Sequence, residues 1–303
     1  MRTVVLTVPQ VSELTDIGAV LDRWQSDAGP LHLHTGDLGW YSLRGAEATA
    51  QALRVWRCQD RILAIGLLDG ENLLRLSVDP DLTHDDALAR QIESDIDSSD
   101  RTASRTDTSV FEKGAAIVEA RGAIRLCDFL KARGWGNDEP WTPMNRDLSL
   151  PVEQPDIRVD VAGPDDAAAW TTIHWSAFRG VPYTADDRQR FVDRWHTMMS
   201  GPFSSRAQCL MGYDNSGLPV AATTVWSAGP NRPGLLEPLA VHRDQQGHGY
   251  GKAMAIAAAR RLQQLGSSSA SVCTESSNRG AVAAYSSAGY IPRPQVKDLR
   301  RGS

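Results

Sequence analysis

Cysteine is scarce in this chain of 303 residues: only Cys58, Cys127, Cys209 and Cys273, with no Cys-x-x-Cys pair among them. Neither a disulfide framework nor a thiolate metal site has the residues it needs. The four read as reduced, buried thiols of a cytoplasmic protein. Long apolar runs are also missing. No stretch approaches the roughly 18 residues that suggest a membrane span. Met1-Arg2-Thr3-Val4-Val5-Leu6 is too short an apolar run, and lacks the small-residue cleavage site, for a signal peptide. Positive charge is not in excess, because 32 Lys and Arg stand against 37 Asp and Glu for a formal net charge of −5. Nucleic-acid binders carry a basic patch, so neither nucleic acid nor a membrane is expected as a partner. The small basic group Lys297, Arg300 and Arg301 reads as a solvated terminal tail.

What is present suits two soluble domains, each with its own core. The clearest punctuation is Leu148 to Asp156, where Pro151 and Pro155 sit among polar neighbours as in a linker. The expected domains are therefore 1–150 and 151–303. Ser98 to Ser109, rich in Ser, Asp, Thr and Arg, reads as an exposed loop.

Beyond the linker, Ile157 to Val161 alternates like a half-buried strand. Helices are expected over Asp165–Phe178 and after the Thr184 cap, the latter with Phe191, Trp195 and Met198 on a core-facing side. Strands follow up to Tyr213, over Val220–Trp226 and over Leu235–Val241. Then come a glycine-rich turn, a helix over Lys252–Leu265, a strand over Ala270–Thr274, a helix from Asn278 and a last strand after Tyr290. Strands and helices interleaved in this way imply an α/β (α+β) fold with a mixed sheet flanked by helices.

Gln246-Gly247-His248-Gly249-Tyr250-Gly251-Lys252 lies between a predicted strand and a predicted helix. A helix N-terminus there offers unpaired N–H groups and partial positive charge to an anion, and glycine permits close backbone approach. A Walker loop is excluded by the spacing before Gly251-Lys252 and by Ala253, which has no hydroxyl for magnesium. The dinucleotide fingerprint would need glycine in place of Lys252. Gln-x-x-Gly-x-Gly fits in full. Past the next strand, Asn278, Ala281 and Tyr285 recur at helical spacing and Gly289-Tyr290 closes the helix.

The glycine loop paired with Asn-x-x-Ala-x-x-x-Tyr-x-x-x-Gly-aromatic resembles the GNAT superfamily of N-acetyltransferases, over about Ile157 to Arg293. The resemblance implies acetyl-CoA as co-substrate and no metal. Its pyrophosphate falls to Gln246, Gly247, Gly249, Gly251 and Lys252, with His248 and Tyr250 in the same loop. Its pantetheine falls to the backbone of Leu239 and Val241, and Asn278 lies on the CoA side. Tyr285 takes the place beside the thioester sulfur, where a phenol can give its proton to the departing thiolate. Glu237, read by strand alternation as sharing a face with Leu239 and Val241, is the candidate general base. Pro238 departs from the pattern, since proline removes a strand donor. His174, His196 and His242 read as structural, Cys273 as a packed thiol, and Asp186 and Asp187 as helix-capping acids that can also face a cationic acceptor.

The first half carries a weaker echo. Leu74 to Pro80 resembles the same fourth strand, but Asp81 to Ala87 has no glycine, and acids at a helix start repel a pyrophosphate. Ile124 to Trp135 resembles the last helix, with Leu130 in the tyrosine's place. This half is expected to be a degenerate GNAT-like domain without a CoA loop. Two such domains resemble the layout of tandem acetyltransferases, the mycothiol synthase family among them. His32 and His34 alternate as on one strand face but lack a third ligand. The expected activity is acetyl transfer, by direct ternary-complex chemistry, to a primary amine of a small molecule, in a monomer or homodimer. The alternatives are a non-catalytic acyl-CoA sensor or scaffold, and an acetyltransferase acting on a protein amine.

Overall fold

A computed structural model describes residues 3–97, 110–111 and 114–302. The loop expected over Ser98–Ser109 lies outside the described residues. Along the chain run β1 (Val5–Thr7), α1 (Leu14–Trp24), α2 (Thr35–Tyr41), α3 (Ala46–Ala52), β2 (Leu53–Cys58) and β3 (Arg61–Leu68). Next are β4 (Leu73–Val78), α4 (Asp86–Asp97), β5 (Ala116–Glu119), α5 (Ile124–Ala132) and β6 (Gly136–Asp147). The second half holds β7 (Arg158–Val161), α6 (Ala167–Phe178), α7 (Ala185–Met199), β8 (Ala207–Tyr213), β9 (Pro219–Trp226) and β10 (Gly234–Val241). It ends with α8 (Tyr250–Gln264), β11 (Ser269–Glu275), α9 (Arg279–Ser287), β12 (Ile291–Pro292) and β13 (Val296–Arg301). Among the described residues no helix is long and apolar enough to cross a membrane.

Two compact units result, and they do not follow a single cut after residue 150. The first is 1–34, 46–141 and 296–303; the second is 35–45 and 142–295. In the first, strands follow the order β1-β2-β3-β4-β5-β13-β6. Neighbours are antiparallel from β1 to β4, and β4 and β5 are parallel. In the second the order is β7-β8-β9-β10-β11-β6, with β12 also on β6, and β10 and β11 form the parallel pair. Each sheet thus repeats one plan, with a strand from the other half of the sequence beside its fifth strand.

That strand exchange corrects the reading of the C-terminus. Lys297, Arg300 and Arg301 are not a solvated tail but part of β13, paired to β5 and to the first half of β6. Leu299 is buried in the core of the first unit, and Arg301 bonds the Gly114 carbonyl and covers the Trp135 ring. Alternation concealed the strand because its outward positions are charged. The stretch read as a linker is also docked. Leu148 and Val152 are buried, and Gln263 on α8 bonds the carbonyls of Leu148 and Leu150 and the Val152 N–H.

In the second unit, Met254, Ala255, Ala258 and Leu262 of α8 pack on Val225, Leu236 and Val272, and Tyr285 of α9 joins the same core. Successive strand residues point to opposite faces. Accordingly Trp226, one residue on from Val225, lies against α2, while Thr224 meets Cys209, whose sulfur touches Met199 of α7. The sheet of this unit is therefore sandwiched, with α8 and α9 on one side and α2, α6 and α7 on the other.

Candidate active site

β10 pairs with β11 only at Gly234 and Leu235; beyond them the parallel strands part. On its other edge β10 stays paired to β9 through Val241. The His242 N–H bonds the Val220 carbonyl at 2.9 Å. Because antiparallel pairs alternate between bonded and non-bonded, Ala240 is bonded to β9, whereas the main-chain groups of Leu239 and Val241 face away from it. They point into the gap that β11 has left. The Gln246 amide reaches the Val241 carbonyl at 3.5 Å, a weak contact.

The gap ends at the glycine turn. Gly247 and Gly249 both have φ of +84°, and a Cβ built on either meets nothing within 4 Å. Gly249 caps α8 without a side chain, so the first N–H groups of the helix face an open cradle that bulk would fill. Gly251 lies against Ala284 of α9 and Val241 of β10. Gln246, His248 and Lys252 are exposed and Tyr250 is half-buried. Asn278 spends its side-chain oxygen on the Ala281 N–H at 3.1 Å, capping α9. Its structural role is thus a helix cap. Such a cradle fits a phosphate by backbone donors alone.

Tyr285 is buried beside Tyr290, with ring centroids 5.7 Å apart. The Tyr290 hydroxyl donates to the Ala255 carbonyl, whereas the Tyr285 hydroxyl has no partner among the described residues. Burial, and then the charge of Glu237, push the Tyr285 phenol well above its ordinary value. The phenol therefore stays protonated through neutral pH.

Glu237 is half-buried, and here the strand reading needs correction. Leu236 is opposite Val225 and Leu239 is opposite Thr223, so Glu237 and Pro238 together oppose Thr224 in a bulge. The extra residue resets the alternation. Leu236, Leu239 and Val241 all pack into the core under α8, and Glu237 lies on the other face, toward α2 and α6. Pro238 does no harm, because a bulge residue owes the ladder no donor. The Glu237–Pro238 peptide is cis. Both bulge carbonyls are held from β9: Trp226 Nε1 donates to the Glu237 carbonyl at 2.8 Å and Thr223 Oγ1 to that of Pro238 at 2.7 Å. Trp226 and Thr223 were not singled out from sequence, since nothing but the bulge gives them a role.

The remaining polar residues play structural parts. The Cys209 thiol is pushed up to about 12 by burial and is inert. Cys273 is half-buried on β11. Asp187 accepts from the Thr184 hydroxyl and pairs with Arg190, which lowers its carboxyl, while Asp186 is exposed. His242 accepts from the Asp244 N–H and His196 is exposed. His174 sits among the rings of Trp40, Trp170, Phe178 and Phe191.

Among its described residues the first unit shows no such cradle. β4 leaves β5 after Arg75, as β10 leaves β11, but Ser77 just beyond that point is 2.8 Å from His32 Nδ1. A Cβ on Gly122 would touch Pro30 and His32, so the segment around His32 fills this place. The Asp85 carboxylate accepts from the Leu88 N–H and thereby caps α4. His32 and His34 lie in irregular chain, not on a strand. Among the described residues no group of three or more His, Cys, Asp or Glu is placed to hold a metal ion. Leu130 is buried where the second unit has its tyrosine.

A parallel strand pair thus parts above a glycine-led helix N-terminus, leaving an open cradle lined by backbone donors. The pattern of the acetyltransferase (GNAT) family matches residues 167–290. The match spans 124 of the 303 residues, all in the second half of the chain. Solved structures agree in fold over the whole length. A GNAT-family acetyltransferase from Colwellia psychrerythraea superposes with a TM-score of 0.59 at 16% identity, covering 98% of both chains. A tandem GNAT protein from the clavulanic acid biosynthesis pathway, solved without AcCoA, gives 0.56 at 16% identity, covering 99% of this chain and 98% of that one. A GCN5-related N-acetyltransferase from Sphaerobacter thermophilus gives 0.55 at 17%, covering 98% and 95%. No curated protein matches the chain.

Proposed function

We propose that this protein is an acetyl-CoA-dependent N-acetyltransferase that acetylates a primary amine of a small molecule directly, in a ternary complex. The observation that carries the reading is the gap itself. The outward main chain of Leu239 and Val241 leads from the glycine-capped N-terminus of α8 toward Glu237 and the Tyr285 hydroxyl. Gly247, Gly249, Gly251 and the α8 N–H groups would hold the pyrophosphate, aided by Gln246, His248, Tyr250 and Lys252, with Asn278 nearby. Leu239 and Val241 would pair with pantetheine. The tandem fold relative from a small-molecule biosynthesis pathway supports the choice of acceptor.

In this reading Glu237 takes a proton from the amine, directly or through water, as the new C–N bond forms. The Leu239 N–H, facing the gap, polarises the thioester carbonyl. Tyr285 gives its proton to the sulfur as the C–S bond breaks. Proton transfer of this kind contributes about 10²- to 10⁴-fold.

The test is calorimetric titration with acetyl-CoA, followed by turnover on a panel of amines. One site per chain is expected, because the first unit fills its own cleft with the His32 segment. Two sites would show that the first unit binds as well, and no binding by the folded protein would sink the reading. Binding without turnover would identify a sensor or scaffold. Turnover confined to lysine-bearing peptides would identify a protein acetyltransferase.

A further inference from the structure

The second unit takes α2 from the N-terminal half of the sequence, and α2 packs on the indole of Trp226. A Cβ on Gly36 would lie 2.6 Å from Trp226 Cγ, and one on Gly39 would lie 2.1 Å from Trp226 Cζ3. No real Cβ stands so close, so both glycines are needed for the indole to lie flat on the helix. Trp226 is fully buried there. In that place its Nε1 meets the Glu237 carbonyl at 2.8 Å, in the bulge that turns the carboxylate off the α8 face.

We infer that Trp226 is a positioning residue for Glu237, and that α2 belongs to the catalytic machinery because Gly36 and Gly39 seat the indole. The proposal rests on the reading of Glu237 as general base. The indole N–H fixes a backbone oxygen of the bulge, and the bulge sets where the carboxylate points. The dependence runs one way: Trp226 touches no reacting atom and acts only through Glu237. The segment 35–45 is therefore more than packing for the second unit, although Glu237 lies 196 positions beyond Tyr41, the last residue of α2.

The experiment uses the full chain with acetyl-CoA and ethylamine, an acceptor small enough to need no specific contacts, and follows CoA release. Trp226→Phe keeps an aromatic ring but loses the donor, and Gly39→Ala displaces the indole. Each is expected to lower kcat about 10-fold while the acetyl-CoA Kd stays within about twofold. Combining Trp226→Phe with Glu237→Gln should give no further loss beyond Glu237→Gln alone, because one residue acts through the other. A merely structural tryptophan would instead give multiplying losses, or a wild-type rate with a lowered Tm, and either result would overturn the inference. If Trp226→Phe does not fold, Thr223→Val, which frees the Pro238 carbonyl, is put through the same cycle. Should Glu237→Gln itself turn over at the wild-type rate, the general-base reading fails and the inference with it. That outcome is distinct from a slow Glu237→Gln beside an unaffected Trp226→Phe, which sinks the positioning role alone.

Discussion

The Arg121 guanidinium donates to both carboxylate oxygens of Asp298, at 3.1 and 3.2 Å, across 177 residues of sequence. Both side chains are almost fully buried in the first unit. Asp298 lies on β13, the strand that the far end of the chain lends to this unit's sheet. Burial pushes the Asp298 carboxyl up and Arg121 draws it back, so the pair owes its charged state to its geometry. Removing one partner leaves a buried charge, which typically costs about 3–5 kcal/mol. Glu119, 3.6 Å from Arg121, offsets part of that loss. Asp298→Ala should therefore destabilise the first unit by about 2–3 kcal/mol, read by denaturant unfolding. A loss under about 0.5 kcal/mol would show that the pair does not hold the strand.

Gly249 tests the cradle. Its φ of +84° alone costs a non-glycine residue about 1–2 kcal/mol, and the space above it is open. Gly249→Ala should weaken acetyl-CoA binding about 10-fold through backbone strain, while Gly249→Glu should abolish it by placing a carboxylate in the anion site. Calorimetry separates the two. Wild-type affinity in Gly249→Glu would mean that the phosphates bind elsewhere.

Tyr285→Phe removes the hydroxyl and keeps the ring that packs on Tyr290. Because the hydroxyl has no partner among the described residues, folding should hardly suffer. The expected result is a kcat lower by about 100-fold with acetyl-CoA affinity nearly intact. In the wild type, the raised phenol keeps its proton past its ordinary value near 10, so no alkaline fall in rate below about pH 10 should belong to this residue. An unchanged kcat across the pH range would remove the acid role.

How much of this could be read in the sequence differs from element to element. The glycine turn and the helix from Asn278 through Tyr285 to Gly289 were legible because each residue meets a local demand: positive φ, a cap or a helical face. The β10 strand was legible as a strand, but not its bulge, because an extra residue leaves no mark in the pattern until its partner strand is known. Simple alternation therefore puts Glu237 on the face of Leu239 and Val241, and the bulge breaks that alternation. α2 was hidden for a different reason. Thr35-Gly-Asp-Leu-Gly-Trp-Tyr41 is short and has two glycines, poor helix material by propensity, and its place is set by Trp226, far along the chain. β13 was missed because its alternation is charged outward and its inward Asp298 is polar, paired with a residue that no local window contains.

His174 gives a stability prediction with a definite sign. Its imidazole is enclosed by four aromatic rings, and Nδ1 is buried with no partner among the described residues. Burial, and then Arg179, push it down to about 3. In the unfolded chain it titrates near its ordinary value of about 6.5. Between those limits the unfolded state holds a proton that the folded state refuses, so stability falls as pH drops below about 6.5 and is complete above it. The slope reaches about 1.4 kcal/mol per pH unit. His174→Phe keeps a ring in the aromatic box and removes the titration, and no hydrogen bond is lost at Nδ1. Any packing cost is the same at every pH, so the difference between variant and wild type isolates the imidazole. Relative to wild type, the variant should gain about 2 kcal/mol on going from pH 8 to pH 5, or about 4–8 °C in Tm. A difference that stays constant over this range would mean that the folded protein protonates His174 freely, and that the box opens to water.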